Sequence, residues 1–259
     1  MKFLVFVLFS VIGFSNSLSY GQSSHEPLPC LNKTFGMIVH MVRDSSGGTT
    51  LTETDVEDLI DQLNNLYDSI CVNFEVCEFR YINNYQYDSV EINAGEFQQM
   101  QIDYNEANRI NMYFVTHTSD MASFGTPNGI SMMNSGGLLI LKGVSIMFLA
   151  HEMGHYFNLR NTYHGSQSGN PELADGSNCA TAGDLLCDTP ADPFYSGYNF
   201  PWFNVITGAY DFSGVDANGQ FYTPLTQNIM SVYETRCFFT FGQYRRMAQA
   251  YLSSNPKMW

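Results

Sequence analysis

The chemistry most readily read from this chain lies in five consecutive residues, His151, Glu152, Met153, Gly154 and His155. Two imidazoles at positions i and i+4 sit one turn apart on the same helix face, so both can hold one tetrahedrally coordinated cation such as zinc. Glu152 projects beside them, placed to take a proton from a metal-bound water, whose pKa zinc lowers to about 7. The alternative is three polar side chains packed into an apolar helix for structural reasons, which is costly unless something binds them. Two histidines do not complete a site, and a third donor is expected downstream. Asn161 and His164 are the candidates: the imidazole through a longer turn, the amide as a weak donor or as the mark of a two-histidine site with extra water. A third possibility, an impaired site, is left open by the same residues.

The element that must carry these side chains is a helix from Val144 to Phe157, apolar on nearly every face and therefore buried. Gly36 to Val42 reads as a buried strand closed by the turn-forming run Asp44-Ser45-Ser46-Gly47-Gly48. A helix follows, with Thr52 and Asp55 as a capping box and Val56, Leu59, Ile60, Leu63, Leu66 and Tyr67 at helical spacing. Val72, Phe74 and Val76 alternate as in a half-buried strand, and Ile110 to Val115 is another. Thr118 to Ile130 is read as loop, as is the stretch from Arg160 to about Tyr222. Thr240 and Gln243 cap a last helix with the stripe Phe241, Tyr244, Met247, Ala248, Tyr251 and Leu252. Strands and helices alternate before a loop-rich second half, which gives an α/β or α+β class.

The compartment is set by the first residues. Met1 and Lys2, an apolar run from Phe3 to Phe14, and small or polar residues from Ser15 to Gln22 form a secretory signal peptide of about residues 1–21. The apolar run is shorter than the ~20 residues a membrane span needs. Residues 22–34 are a short arm, and 35–259 a single domain. Export permits disulfides among Cys30, Cys71, Cys77, Cys179, Cys187 and Cys237, as many as three, with 15 possible pairings. The absence of any CxxC pair speaks against a cysteine zinc site. A net charge of −14 excludes nucleic acid or an anionic membrane as the natural partner. Acidic loops are also where calcium finds oxygen ligands. His25, His40 and His117 take the ordinary reading of surface or packed residues.

With these motifs in view, the chain resembles the pappalysin family of metzincin peptidases over about residues 35–253. Metzincins continue the histidine motif as H-E-x-x-H-x-x-G-x-x-H, the glycine taking a left-handed turn that delivers the last histidine. Here Asn158 stands at the glycine position and Asn161 at that of the third ligand. Asparagine tolerates the left-handed turn. Gly183-Asp184-Leu185-Leu186-Cys187-Asp188-Thr189-Pro190 is similar to the family's segment before the Met-turn, Asn228-Ile229-Met230-Ser231 to the Met-turn itself, and Phe239-Thr240-Phe241-Gly242-Gln243 to the start of the last helix. The resemblance implies His151 and His155 as zinc ligands, Glu152 as general base and Met230 as the floor under the metal. It implies a tyrosine two residues after Met230 to assist the transition state; that position is Val232, and Tyr233 is its neighbour. It further implies bridged Cys187 and Cys237, calcium sites for which Glu172, Asp175, Asp184 and Asp188 are candidates, and a twisted, mostly parallel sheet over the active-site helix. A peptide would run antiparallel along the edge strand of that sheet.

The expectation is therefore a secreted (extracellular or periplasmic), monomeric zinc endopeptidase acting on peptide or protein substrates. The competing expectation is a catalytically impaired metzincin-fold protein that keeps a peptide-binding cleft, because Asn161 replaces a histidine. A thermolysin-like site with Glu172 as third ligand would need a second helix, which Gly169, Asn170, Pro171 and Gly176 oppose.

Overall fold

Phe35, Met37, Val39 and Met41 alternate along strand β1 (Lys33–Val42) and enter one core, while Val42 enters the core on the opposite face. That two-sided burial is what a central strand of a parallel sheet requires. In the computed structural model, which describes residues 27–254 apart from 93, 120–128, 132–136, 167–168, 195–201, 205 and 208, β1 lies between β2 (Val72–Ile82) and β4 (Ile110–Val115). The signal-peptide segment and the start of the arm lie outside the described residues. Strand β3 (Ser89–Glu91) pairs with β5 (His117–Ser119) in a small separate sheet. Strands β6 (Gly129–Ser131) and β7 (Gly137–Leu141) complete the main sheet in the order β2-β1-β4-β7-β6, parallel throughout except for β6. The expected mixed α/β class, with a mostly parallel sheet and helices packed on it, is what the chain adopts. The expected loop from Thr118 to Ile130 begins and ends in strand, and its middle lies outside the described residues.

Helix α1 (Glu53–Tyr67) starts at the expected capping box: Thr52 accepts from the Asp55 N–H and Asp55 returns to the Thr52 N–H. It buries Val56, Ile60, Leu63 and Tyr67 against the sheet. Helix α3 (Ile146–Tyr156) and helix α4 (Phe241–Ser253), the latter with its own Thr240–Gln243 box, fill the same side. Helix α2 (Glu96–Tyr104) covers the opposite face with Phe97 and Met100. Between α3 and α4 the described residues form turns and irregular segments, broken by the antiparallel pair β8 (Trp202–Asn204) and β9 (Ala209–Asp211). No helix among the described residues is long and apolar enough to cross a membrane.

Two disulfides staple this frame. Cys30–Cys71 ties the arm to the start of β2, and Cys179–Cys187 closes a turn within the loop-rich half. Cys187 is thus bridged, but to Cys179; the expectation for Cys237 is corrected, because its thiol is exposed and unbridged. Cys77 is the other free thiol. It is the residue skipped where β2 bulges opposite Met37 and Ile38, so its side chain is turned from the ladder toward Gly36 at an exposed edge.

Candidate metal centre

Helix α3 is buried on nearly all sides, and the two histidines come out of it on one face, one turn apart. His151 and Glu152 are each 8% exposed. Each imidazole is held from behind. The Nδ1 of His151 lies 2.8 Å from the carbonyl of Ile229, and the Nδ1 of His155 lies 2.8 Å from that of Leu159. A carbonyl only accepts, so both Nδ1 atoms carry the proton and both Nε2 atoms present a lone pair. These lone pairs face one another at 3.1 Å. Burial lowers the pKa of both rings, that of His151 strongly, so protonation does not relieve the contact. Two ligands of a tetrahedral zinc at 2.0–2.1 Å stand about 3.3 Å apart, close to this spacing.

The turn after α3 follows from Asn158, which adopts the left-handed conformation at φ 66°. The Leu159 N–H returns to Gly154 and the Asn158 N–H to His155, closing the helix end. Asn161 is thereby brought to the histidine pair. Its side chain favours the protonated form of both rings, as an acceptor facing them does, yet its Oδ1 is buried without a hydrogen-bond partner. Among the described residues no three His, Cys, Asp or Glu side chains converge. An amide oxygen is the donor this turn supplies, and two imidazoles with one buried, unsatisfied carbonyl oxygen fit a divalent cation. His164 is exposed, and burial with Arg160 nearby lowers its pKa; its ring takes no hydrogen bond among the described residues.

Below the pair, Met230 packs so closely on α3 that a Cβ on Gly154 would stand 2.6 Å from its sulfur. The Met230 turn is braced by Asn228, which accepts from the Met230 N–H and exchanges two hydrogen bonds with Gln243 of α4. The Met230 carbonyl accepts from the Thr162 N–H, so the turn and the post-helix segment are one unit.

Tyr233, the candidate to stand in for the tyrosine that the resemblance implies at position 232, is engaged elsewhere. Its hydroxyl donates to Asp192 Oδ1 at 2.8 Å, while Thr162 donates to Oδ2 at 2.7 Å. Asp192 is a buried carboxylate that needs such donors, and burial with that neighbour pushes the Tyr233 phenol well above the usual tyrosine range. Tyr163 is the phenol that stands in the electrostatic reach of Glu152. Burial first, then Asp192 and Glu152, push it up to about 12. Arg236 also stands at the site, its guanidinium 4.0 Å from the centre of the Phe148 ring and its Nη1 3.4 Å from His151 Nδ1. Sequence reading singled out neither residue nor Asp192; one arginine ahead of the aromatic pair Phe238-Phe239 was the available signal for Arg236.

The four acids expected at calcium do not form one cluster. Glu172 and Asp184 are buried side by side. Burial, then Asp184, raises Glu172 to about 7, and burial raises Asp184 to about 6. A Cβ on Gly183 would collide with the Glu172 carboxylate, so only glycine leaves room for it. Asp188 instead caps α4, accepting from the Gly242 N–H at 2.6 Å and from Thr240. Asp175 accepts from the Ser177 N–H in an exposed turn.

No protein-family model and no curated protein matches this chain. Among solved structures, a chain in "Structure of a chaperone-substrate complex" is similar at 12% identity and a TM-score of 0.35, covering 60% of this chain and 28% of its own. Metalloproteinase-II from Bacteroides fragilis is similar at 18% identity and a TM-score of 0.35, covering 51% of this chain and 44% of its own. This chain spans less than half of either, and at such a score neither likeness informs the fold or the chemistry.

Proposed function

We propose that the chain is a secreted zinc-dependent endopeptidase of the pappalysin type, with His151, His155 and the Asn161 amide oxygen holding the metal. The observation that carries this reading is the convergence of two deprotonated Nε2 atoms at 3.1 Å with a buried, partnerless carbonyl oxygen. Bound zinc would supply a water acidic enough to act as a nucleophile and a Lewis acid for the peptide carbonyl. Glu152 would serve as the base that takes a proton from the attacking water and returns it to the leaving amine. His151 and His155 keep their rings oriented through Ile229 and Leu159. Tyr163, protonated at any working pH, is the candidate to donate a hydrogen bond to the oxygen that gains charge. Strand β6, the antiparallel edge of the sheet beside α3, offers backbone groups to an extended peptide. Export is supported by the signal-peptide pattern and two disulfides. Calcium at Glu172 and Asp184 is the second part of the proposal, since two buried acids that resist ionisation side by side are relieved by a divalent cation.

Metal analysis of the purified chain, run beside digestion of a casein-type substrate, tests both parts. One zinc per chain is expected, with chelator-sensitive proteolysis that falls ~100- to 10,000-fold in Glu152→Gln, the range for loss of a general base. Equal activity in that variant would trace the proteolysis to a contaminant. Zinc without turnover in the unaltered chain would favour the peptide-binding alternative that Asn161 raises. Calcium in the same analysis, lost on Glu172→Gln, is the expected second result.

A further inference from the structure

Arg236 is only 7% exposed, yet its hydrogen-bonding capacity is almost unused. Its Nε has no partner. Its Nη1 reaches one acceptor, the Ser231 carbonyl at 3.3 Å. The other Nη1 contact, His151 Nδ1 at 3.4 Å, faces a nitrogen whose proton is already given to Ile229, so two donors meet there and no bond forms. The ion pairs among the described residues are Arg80 with Glu78 and Glu106, and Lys142 with Asp88; Arg236 takes part in none. A guanidinium remains charged in proteins, and burying that charge without a carboxylate is costly. The ring of Phe148, one turn before His151 on α3, lies against its face and fixes its plane. A flat, five-donor fork is thus held beside the histidine pair with its natural counter-ion missing.

We propose that Arg236 is a specificity-determining residue that receives a carboxylate of the peptide next to the bond to be cut. The proposal rests on the peptidase reading for its substrate class. A carboxylate matches the fork in two parallel hydrogen bonds, which a neutral amide of the same shape cannot reproduce. Glu152 and Glu234 are the acids whose charges Arg236 feels, together with the phenols of Tyr163 and Tyr210. Glu152 is reserved for proton transfer in the proposed mechanism. The incoming carboxylate can be an acidic side chain or the C-terminal carboxylate of the substrate. The chemistry is shared, and the test separates the sources.

The test uses the zinc-loaded chain and its Glu152→Gln variant with fluorescent peptides of one sequence. One set carries Asp or the isosteric Asn at each of three positions on either side of the cleavage site; the other ends in a free carboxylate or an amide. Binding to the Glu152→Gln variant should be at least ~10-fold tighter for one carboxylate peptide than for its amide twin, the scale of a hydrogen bond to a charged group. The set that shows the difference identifies the source. Arg236→Gln should erase that difference, and Arg236→Lys, which keeps the charge but not the fork, should reduce it. Equal binding of every carboxylate and amide pair overturns the proposal, as does a preference that survives Arg236→Gln. Because the paired peptides are compared on a chain with Arg236 intact, the result does not depend on the variant's folding. Carboxylate preference without hydrolysis by the unaltered chain would remove the peptidase reading and leave this site standing; hydrolysis without preference would remove this site alone.

Discussion

Among the described residues, two buried histidine–asparagine arrangements differ in what their amides have left to give. On the sheet, the His40 ring stacks on Tyr113 at 4.3 Å and its Nε2 lies 3.0 Å from Asn111 Oδ1. That oxygen also accepts from the Glu106 N–H, and the Asn111 amide nitrogen donates to the carbonyls of Glu106 and Arg109. The amide is saturated, and a single ring with one lone pair remains. On α3, two rings present their lone pairs to each other, and Asn161 Oδ1 accepts nothing. The residue types are the same. The sheet spends its amide and leaves one buried imidazole nitrogen, His40 Nδ1, without a partner, whereas on α3 two ring lone pairs and an amide oxygen converge; convergence of unspent lone pairs, rather than a buried histidine as such, marks the candidate site.

The sharpest way to break this contrast is to alter the two asparagines in turn. Asn161→Ala removes a proposed ligand, and zinc affinity should fall at least ~10-fold, with proteolysis falling alongside. Asn161→His restores a stronger donor at the same point of the turn and should tighten zinc ~10-fold or more, since imidazole is a better ligand than an amide oxygen. Competition with a zinc-binding dye reads both. Unchanged affinity in Asn161→Ala would remove the amide from the site.

Asn111→Ala is the matching change on the sheet and should act in the opposite sense. It leaves His40, the Glu106 N–H and two carbonyls without their partner, at a cost of about 2–4 kcal/mol in urea unfolding. Zinc content should stay at the level of the unaltered chain. A loss of zinc in a folded Asn111→Ala protein would mean that the two arrangements are not independent.

Much of this was legible in advance because its causes are local. The capping boxes at Thr52 and Thr240 need only residues three apart, and the left-handed turn at Asn158 needs only a residue that tolerates it. The i, i+4 spacing of His151 and His155 needs only a helix. What the sequence did not reveal is what distant segments settle. The engagement of Tyr233 by Asp192 spans 41 residues, and Arg236 meets Phe148 and His151 only because the Met230 turn folds back under α3. The pairing of Cys187 with Cys179 over eight residues, leaving Cys237 free, depends on where a long loop places each thiol. Helix α2 and strand β7 were missed for another reason. Residues 96–104 carry little helical amphipathicity, with only Phe97, Met100 and Gln101 buried, and Gly137–Leu141 is a short apolar run whose type periodicity does not decide.

The finest difference between the two arrangements is their response to acid. Burial is the first cause that lowers the pKa of His40, His151 and His155, so the unfolded chain takes up protons near the ordinary histidine value of about 6.5 while the folded chain resists. Stability contributed by each ring is therefore complete above that value and is lost as pH falls through it toward the lower folded value. His40→Gln keeps a side-chain donor for Asn111 but removes one proton from this ramp. Urea midpoints of the chelated protein between pH 7 and 5 should then fall less steeply than those of the unaltered chain, by up to ~1.4 kcal/mol per pH unit for one proton. Zinc should leave that difference in place, because the metal competes with protons only at His151 and His155. If zinc abolishes the effect of His40→Gln, the ring on the sheet is coupled to the metal centre, and the two arrangements are not independent.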